Sequence, residues 1–439
     1  MNACKKVPAG VVAGTLLGSQ VLVKLFAGIL IAASLDLGLA AAEDRGDRGR
    51  DHGSRGDDHA YRGHDHDDDD DDDDRDRRHI LAIQHAVPHI STVPAIAGER
   101  VELFAWERVR ASKLKKFRKK PPTGKVVLFI HGATVPSVPA FDLDYKDYSW
   151  MESLARAGFD VFSLDRTGYG FSPRPKMDDP CNVNPAQQSI LVPHPLAAPC
   201  AHSYPFRLTH TGSDSDDIDA AVDYIRALRR VDRITIAGWS GVGPQVGPYA
   251  VKNPDKIDRL VFYAPNYLRT SPTSPPATLP QAGFPMNLRT RPMLEGDWQR
   301  EVACEGQFEP AIRDVVWRRI MDFEPVGRTW GPLEGVMRAR TITPWGWNQT
   351  TAPTLKVPML IIVGRNDALL SQGRDLYQDL GAEDKVLVEV PCASHFLVWE
   401  TNHKILHTAS REWLRKGSLK GVRQGVFIVD ADGDIVPVP

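Results

Sequence analysis

ITIAGWSGVGPQ (residues 234–245) runs from a β-branched, largely apolar stretch into a serine set among three glycines. Residues 234–237 suit a strand buried on both faces. A tight strand-to-helix turn drives its central residue toward positive φ and needs small neighbours. Gly238 and Gly241 meet that need around Ser240, so the serine hydroxyl is held out of both elements, where it can react.

Working outward, short apolar runs alternate with amphipathic ones from residue 125 onward. KVVLFIHG (125–132), DVFSLDRTGYGFS (160–172), VPMLIIV (357–363) and KVLVEV (385–390) each contain a strand. Between them, Trp150, Met151, Leu154 and Ala155 recur at helical spacing, as do Ile218, Ala221, Val222, Ile225 and Leu228, the latter helix with Ser213 or Asp214 as its expected cap. Strand, helix, strand in succession predicts a mostly parallel, doubly wound α/β sheet covered on both faces. Ligands of such sheets bind beyond the carboxyl ends of the strands. His131, Asp165, Ser240 and Asp367 all stand at such ends.

A serine hydroxyl needs a base within hydrogen-bond reach, and the base needs a carboxylate that holds its tautomer. His395, in PCASHFLVWE (391–400) after the last core strand, is the candidate base. Asp367, in GRND (364–367), is the candidate acid; Asn266, at the end of the preceding strand, is uncharged. His403 and His407 lie in the following helix and read as surface residues.

The HG pair at 131–132, the D-x-x-G-x-G-x-S turn at 165–172, the serine turn, the late Asp367 and the late His395, in that order and each after a strand, resemble the α/β-hydrolase superfamily, in its serine esterase and lipase-like branch. The resemblance covers residues 125–265 and 352–416. It implies Ser240 as nucleophile, His395 as base and Asp367 as its orienting acid, with the backbone N–H groups of Ala133 and Gly241 as the oxyanion hole. It also implies a structural role for His131 and for Asp165. One departure stands out: the family places a glycine two residues after the serine, whereas Val242 is there and Gly243 follows. The implied reaction is cleavage of a small-molecule carboxylic ester with no cofactor and no metal. Amidase, lactonase, carbon–carbon hydrolase and perhydrolase chemistries share the same triad. A serine nucleophile argues against epoxide hydrolases and haloalkane dehalogenases, whose relatives use aspartate at that place.

The 439 residues divide by composition. Residues 1–42, basic, then apolar, then small, read as a secretory signal peptide rather than a spanning anchor, because Lys24 and Asp36 interrupt the apolar run. Residues 43–85 are expected to be a disordered tail with weak affinity for divalent cations, because 44–79, rich in Asp, Arg and His, hold almost nothing to bury. A non-catalytic, cation-binding exported protein is the alternative that this tail suggests. The core follows as 86–268 and 351–418, separated by a lid insertion over 269–350, with a C-terminal hairpin or tail over 419–439. Trp298, Trp317, Trp330, Trp345 and Trp347 either line the pocket beneath the lid or form the lid's own core. A smaller insertion, from Arg174 to Arg207, is expected at the pocket entrance. The basic run 110–124 reads as an exposed loop.

A formal net charge of −2 gives no global pull toward nucleic acid or an anionic membrane. With Cys4 in the leader, Cys181, Cys200, Cys304 and Cys392 remain, and an even number in an exported chain permits three pairings, of which Cys181 with Cys200 is the simplest. Asn348 begins an N-x-T sequon.

Overall fold

The computed structural model describes residues 79–438. The leader 1–42 and the tail through residue 78, with its expected cation contacts, lie outside the described residues. One large sheet is built from β1 (Ile80–Ile90), β2 (Arg100–Arg110), β3 (Val126–Ile130), β4 (Asp160–Leu164), β5 (Ile234–Trp239), β6 (Ile257–Tyr263), β7 (Met359–Gly364), β8 (Lys385–Val390), β9 (Gln424–Val429) and β10 (Ile435–Pro437). Their spatial order is β1-β2-β4-β3-β5-β6-β7-β8-β9-β10. From β4 to β9 every neighbouring pair is parallel; β1, β2 and β10 pair antiparallel at the margins.

The helices are α1 (Ala111–Lys119), α2 (Ser137–Phe141), α3 (Trp150–Arg156), α4 (Thr211–Arg229), α5 (Val242–Lys252), α6 (Arg291–Arg300), α7 (Ile312–Asp322), α8 (Leu370–Asp379) and α9 (His403–Lys416). Strand β3 displays the two-faced burial directly. Val127 and Phe129 join Trp150, Met151 and Trp413 on one side, while Val126, Leu128 and Ile130 join Ile218, Ile225, Val246 and Leu376 on the other. Alternating side chains that are apolar on both faces leave no solvated surface, which is why these strands read as continuous apolar runs.

Several expectations are corrected by the structure. Strand β1 begins at Ile80, inside the segment read as tail, and pairs with β2 along its whole length. Exposure alternates along ILAIQHAVPHI, with Leu81, Ile83, His85, Val87 and His89 turned inward, as in a half-exposed marginal strand. The basic run 110–124 is not a loop: it holds α1, which buries Ala111 and Phe117 and leaves its lysines outward. Helix α4 is capped by His210, whose ring accepts the Ser213 N–H, not by Ser213 or Asp214. Residues 424–437 form the C-terminal hairpin, which extends the sheet beyond β8.

His403 and His407 are buried, not surface residues. They share a stripe with Leu406 and Ser410 on the inner side of α9. There the His403 ring stacks on Tyr148 at 3.9 Å and His407 faces Trp150. Asn348 is also buried, its amide donating to Ser271 O at 2.7 Å and Thr273 Oγ1 at 2.8 Å, so the sequon is not displayed.

The 269–350 insertion does not stand alone. Its strands Met286–Arg289 and Met337–Arg340 pair antiparallel, and Met286, Leu288, Trp330 and Val336 pack with Met177, Val183 and Leu191 of the smaller insertion as a separate apolar cluster. The smaller insertion thus supports the larger one and contributes no wall to the main cavity. Two disulfides fasten these segments: Cys181 to Cys200 within the smaller insertion, and Cys304 to Cys392 between the larger insertion and the segment after β8.

Two predictions follow from this packing. Burial, reinforced by the charge of His403, lowers the His407 pKa to about 3, against an ordinary value of about 6.5. The unfolded chain therefore binds this proton first, and stability present above about pH 6.5 is lost as pH falls toward the folded value. In urea titrations, His407→Leu should flatten the decline of unfolding free energy between pH 6.5 and 4; an unchanged slope would contradict the assignment. Loop-closure entropy gives about 3 kcal/mol for the Cys181 bridge and roughly 4–5 kcal/mol for the longer Cys304 loop. Paired Cys→Ser variants should follow that order in denaturant midpoints, and the reverse order would count against it.

Candidate active site

The turn after β5 is built by close backbone approach. Ser240 has φ 56°, the left-handed region. Its N–H donates to Tyr263 O at 2.9 Å and its carbonyl accepts the Asn266 N–H at 2.8 Å, so β6 and the residues after it grip the serine from both ends of its peptide. A Cβ at Gly238 would lie 2.4 Å from Ile130 O, and one at Gly243 would lie 2.0 Å from Asn266 O. This explains the departure from the family spacing. Gly243 lets the first turn of α5 pass the Asn266 backbone, while Val242 packs its side chain over Gly238.

Ser240, His395 and Asp367 are brought together from three strand ends. His395 Nε2 lies 2.9 Å from Ser240 Oγ, and His395 Nδ1 lies 3.1 and 3.2 Å from the two Asp367 carboxylate oxygens. With Nδ1–H donating to Asp367, Nε2 is left to accept the serine proton. The Asp367 side chain is fully buried, and its Oδ1 also accepts the Leu369 N–H at 2.7 Å. Asn266 acts through its backbone, as above.

Ala133 and Gly241 face one another. A Cβ built on Gly241 would sit 3.3 Å from Ala133 N, and neither amide has a hydrogen-bond partner among the described residues. The loop carrying Ala133 is tied by its carbonyls: Arg166 Nη2 donates to His131 O at 2.9 Å and to Gly132 O at 3.3 Å, and the Tyr169 hydroxyl donates to Ala133 O. Carbonyls anchored behind leave the amides pointing forward. His131 is fully buried; its Nδ1 bonds Gly132 O at 2.8 Å and its Nε2 accepts the Arg166 N–H, an arrangement that fixes the Nδ1–H tautomer. Burial and the Arg166 charge hold His131 well below the usual histidine range, so it stays neutral. Asp165 accepts the Ser137 N–H at 2.7 Å and organises the turn.

A cavity of about 640 Å³ opens over Ser240. Its apolar wall is Val135, Trp239, Leu294, Leu369 and Phe396; its charged wall, from α6 and the residues around it, is Arg289, Asp297, Arg300 and Glu301. Both arginines pair with Asp297. Thr134 also lines it. The five tryptophans of the large insertion do not: Trp298, Trp317, Trp330 and Trp347 are buried, Trp347 against Gly247, and half-buried Trp345 stacks on His210. The tryptophan facing the cavity is Trp239, the residue before the serine.

Sequence reasoning missed Glu301 and Tyr263. Glu301 Oε2 accepts the His395 backbone N–H at 2.7 Å, and its Oε1 accepts the Ala368 N–H at 3.3 Å. The Tyr263 hydroxyl donates to His395 O at 2.6 Å. Arg166 and Tyr169 were visible as members of the 165–172 turn, but nothing local tied them to the Ala133 loop. Among the described residues no group of three or more His, Cys, Asp or Glu side chains is arranged to hold a metal ion.

Residues 125–291 match the sequence model of the α/β hydrolase fold family. No curated protein matches the chain. Among solved structures, the chain is similar to a thermophilic esterase from Thermogutta terrifontis (18% identity, 76% of this chain and 98% of that one, TM-score 0.44). It is similar also to a 2-hydroxy-6-oxo-6-phenylhexa-2,4-dienoate hydrolase from a Rhodococcus species (14%, 77% and 100%, 0.44) and a monoacylglycerol lipase from Paleococcus ferrophilus (20%, 67% and 95%, 0.39). Likeness at that level carries nothing about substrate. With the family match running from β3 through the serine turn to α6, and a parallel sheet that sets Ser240 at the end of β5, residues 125–291 match the α/β-hydrolase fold family and the sheet has that fold's arrangement.

Proposed function

We propose that the protein is a serine hydrolase that cleaves a carboxylic ester through an acyl-enzyme. The observation that carries this reading is the 2.9 Å contact between Ser240 Oγ and His395 Nε2, with Asp367 on the far side of the ring. As Ser240 Oγ attacks the ester carbonyl, His395 takes its proton, and Asp367 stabilises the imidazolium without itself being protonated. The tetrahedral oxygen takes its two hydrogen bonds from Ala133 N–H and Gly241 N–H, each contributing roughly 3 kcal/mol to the barrier. Collapse expels an alkoxide, which recovers the proton from His395. Water, deprotonated by the same ring, then attacks the acyl-serine and regenerates the hydroxyl. An ester is the simplest substrate for this set of groups, because an alkoxide is a much better leaving group than an amide nitrogen and asks less of the one proton that His395 carries.

The apolar wall of the cavity suits an acyl chain or ring, and the burial of that group supplies binding. Residues from 289 to 301 reach the cavity from the large insertion, which supports a covering role for it. We also propose that the protein is exported. The leader composition and two disulfides, which persist in oxidising compartments, support that reading.

Turnover of a panel of p-nitrophenyl esters by the wild type and by Ser240→Ala tests the proposal. Ser240→Ala should lose on the order of 10³-fold or more in kcat while keeping its fold by circular dichroism. Turnover indifferent to the substitution would reject the reading.

A further inference from the structure

Residues 298–307 of the large insertion meet the segment after β8 along a strip that includes His395. The Glu301 carboxylate receives two backbone N–H groups that belong to different loops: His395 after β8 and Ala368, next to Asp367, after β7. One side chain therefore spans the two loops whose own side chains must meet. Neighbouring contacts hold the strip in place. Glu400, wholly buried, accepts Trp298 Nε1 at 2.9 Å, Gln307 Nε2 at 2.9 Å and Ser394 N at 2.9 Å. The Thr401 N–H donates to Gln307 O at 3.0 Å, Trp298 stacks on Phe396, and Cys304 is bonded to Cys392, three residues before His395.

We propose that Glu301 is a positioning residue, through which the insertion sets the alignment of His395 with Asp367. The proposal rests on the serine-hydrolase reading above. Its physical basis is the geometry of a peptide held at both ends. The His395 carbonyl accepts from Tyr263, anchored in the sheet, and the His395 N–H donates to Glu301, anchored in the insertion. With both ends fixed, the imidazole swings only about its own side-chain torsions. A carboxylate is suited to the task because hydrogen bonds to an ionised acceptor are shorter and roughly twice as strong as neutral ones. The position also has a cost that packing alone does not explain. Burial and the nearby Asp367 charge push the Glu301 carboxyl above the usual carboxylate range. A half-buried acid beside a second acid is tolerated here because it accepts two backbone N–H groups, those of His395 and Ala368.

Glu301→Gln keeps the size of the side chain but replaces one acceptor oxygen with a donor that faces an N–H. The account expects kcat about tenfold lower with KM within about twofold, and fluorophosphonate labelling of Ser240 slowed by about the same factor. The thermal midpoint should stay within about 3 °C of wild type, and Glu301→Asp should recover part of the rate. Amide hydrogen exchange read at His395 and Ala368 should be at least about tenfold faster in Glu301→Gln. Labelling, turnover and exchange equal to wild type would overturn the proposal while leaving the hydrolase reading intact. A loss of rate that only tracks a fall in midpoint, with no recovery in Glu301→Asp, would also overturn it. Failure of wild-type Ser240 to react with the fluorophosphonate would instead defeat the hydrolase reading, and the proposal with it.

Discussion

A single backbone conformation organises this protein: Ser240 in the left-handed region at the end of a buried strand. For a residue with a Cβ that conformation costs roughly 1–3 kcal/mol, and it persists only where the surroundings over-determine it. They do so through β6. Tyr263 accepts the Ser240 N–H on its carbonyl, and Asn266, three residues on, donates to the Ser240 carbonyl. Tyr263 has a second contact of equal consequence. Its hydroxyl reaches the carbonyl of His395, so one residue of the central sheet sets the backbone of both Ser240 and His395.

The insertions extend the same logic to the other groups. Arg166, which holds the Ala133 loop by its carbonyls, is itself paired with Asp214 at 3.1 Å, and Asp214 also takes Arg340 from the large insertion at 2.7 Å. Arg174 and Arg338 converge on Glu324 in the same manner. Buried ion pairs lose much of their attraction to desolvation, so their net contribution to stability is small. What they do provide is register: a charged group displaced from such a site meets no substitute partner. The loops that carry Ala133 and His395 are thus each referenced to the insertion, one through Arg340 and Asp214, the other through Glu301.

The parts that were legible in the sequence are those whose determinants are local. Ser240, Asp367 and His395 each follow a run of apolar residues that can only be a strand of a doubly covered sheet, and the parallel topology then delivers their ends to one edge. The doubly wound sheet was legible for the same reason. The parts that were not legible depend on contacts between distant residues. Glu301 lies 94 positions before His395 in a stretch with no motif, and Tyr263 lies 132 before it. The Cys304 pairing is set by the docking of the insertion, not by spacing. His403 and His407 look polar on a helix, yet they share the 403, 406, 407, 410 stripe that faces Trp150. The tail boundary followed composition, whereas β1 begins at Ile80, where the charged run gives way to apolar residues. The insertion tryptophans satisfied two packing schemes equally well in the sequence, and the structure divides them: Trp330 joins the insertions' own cluster, whereas Trp298 and Trp317 pack into the core on one side of the sheet and Trp347 into the core on the other.

The central claim is that the Ser240 hydroxyl, the His395 ring and the Ala133 and Gly241 amides act on one reacting carbonyl. A crystal structure of the full chain after reaction with a phosphonate ester tests it most directly. The account predicts phosphorus bonded to Ser240 Oγ, one phosphonyl oxygen within about 3 Å of both amide nitrogens, and His395 Nε2 turned toward the leaving-group side. An adduct on another residue, or a phosphonyl oxygen directed away from Ala133 and Gly241, would contradict it.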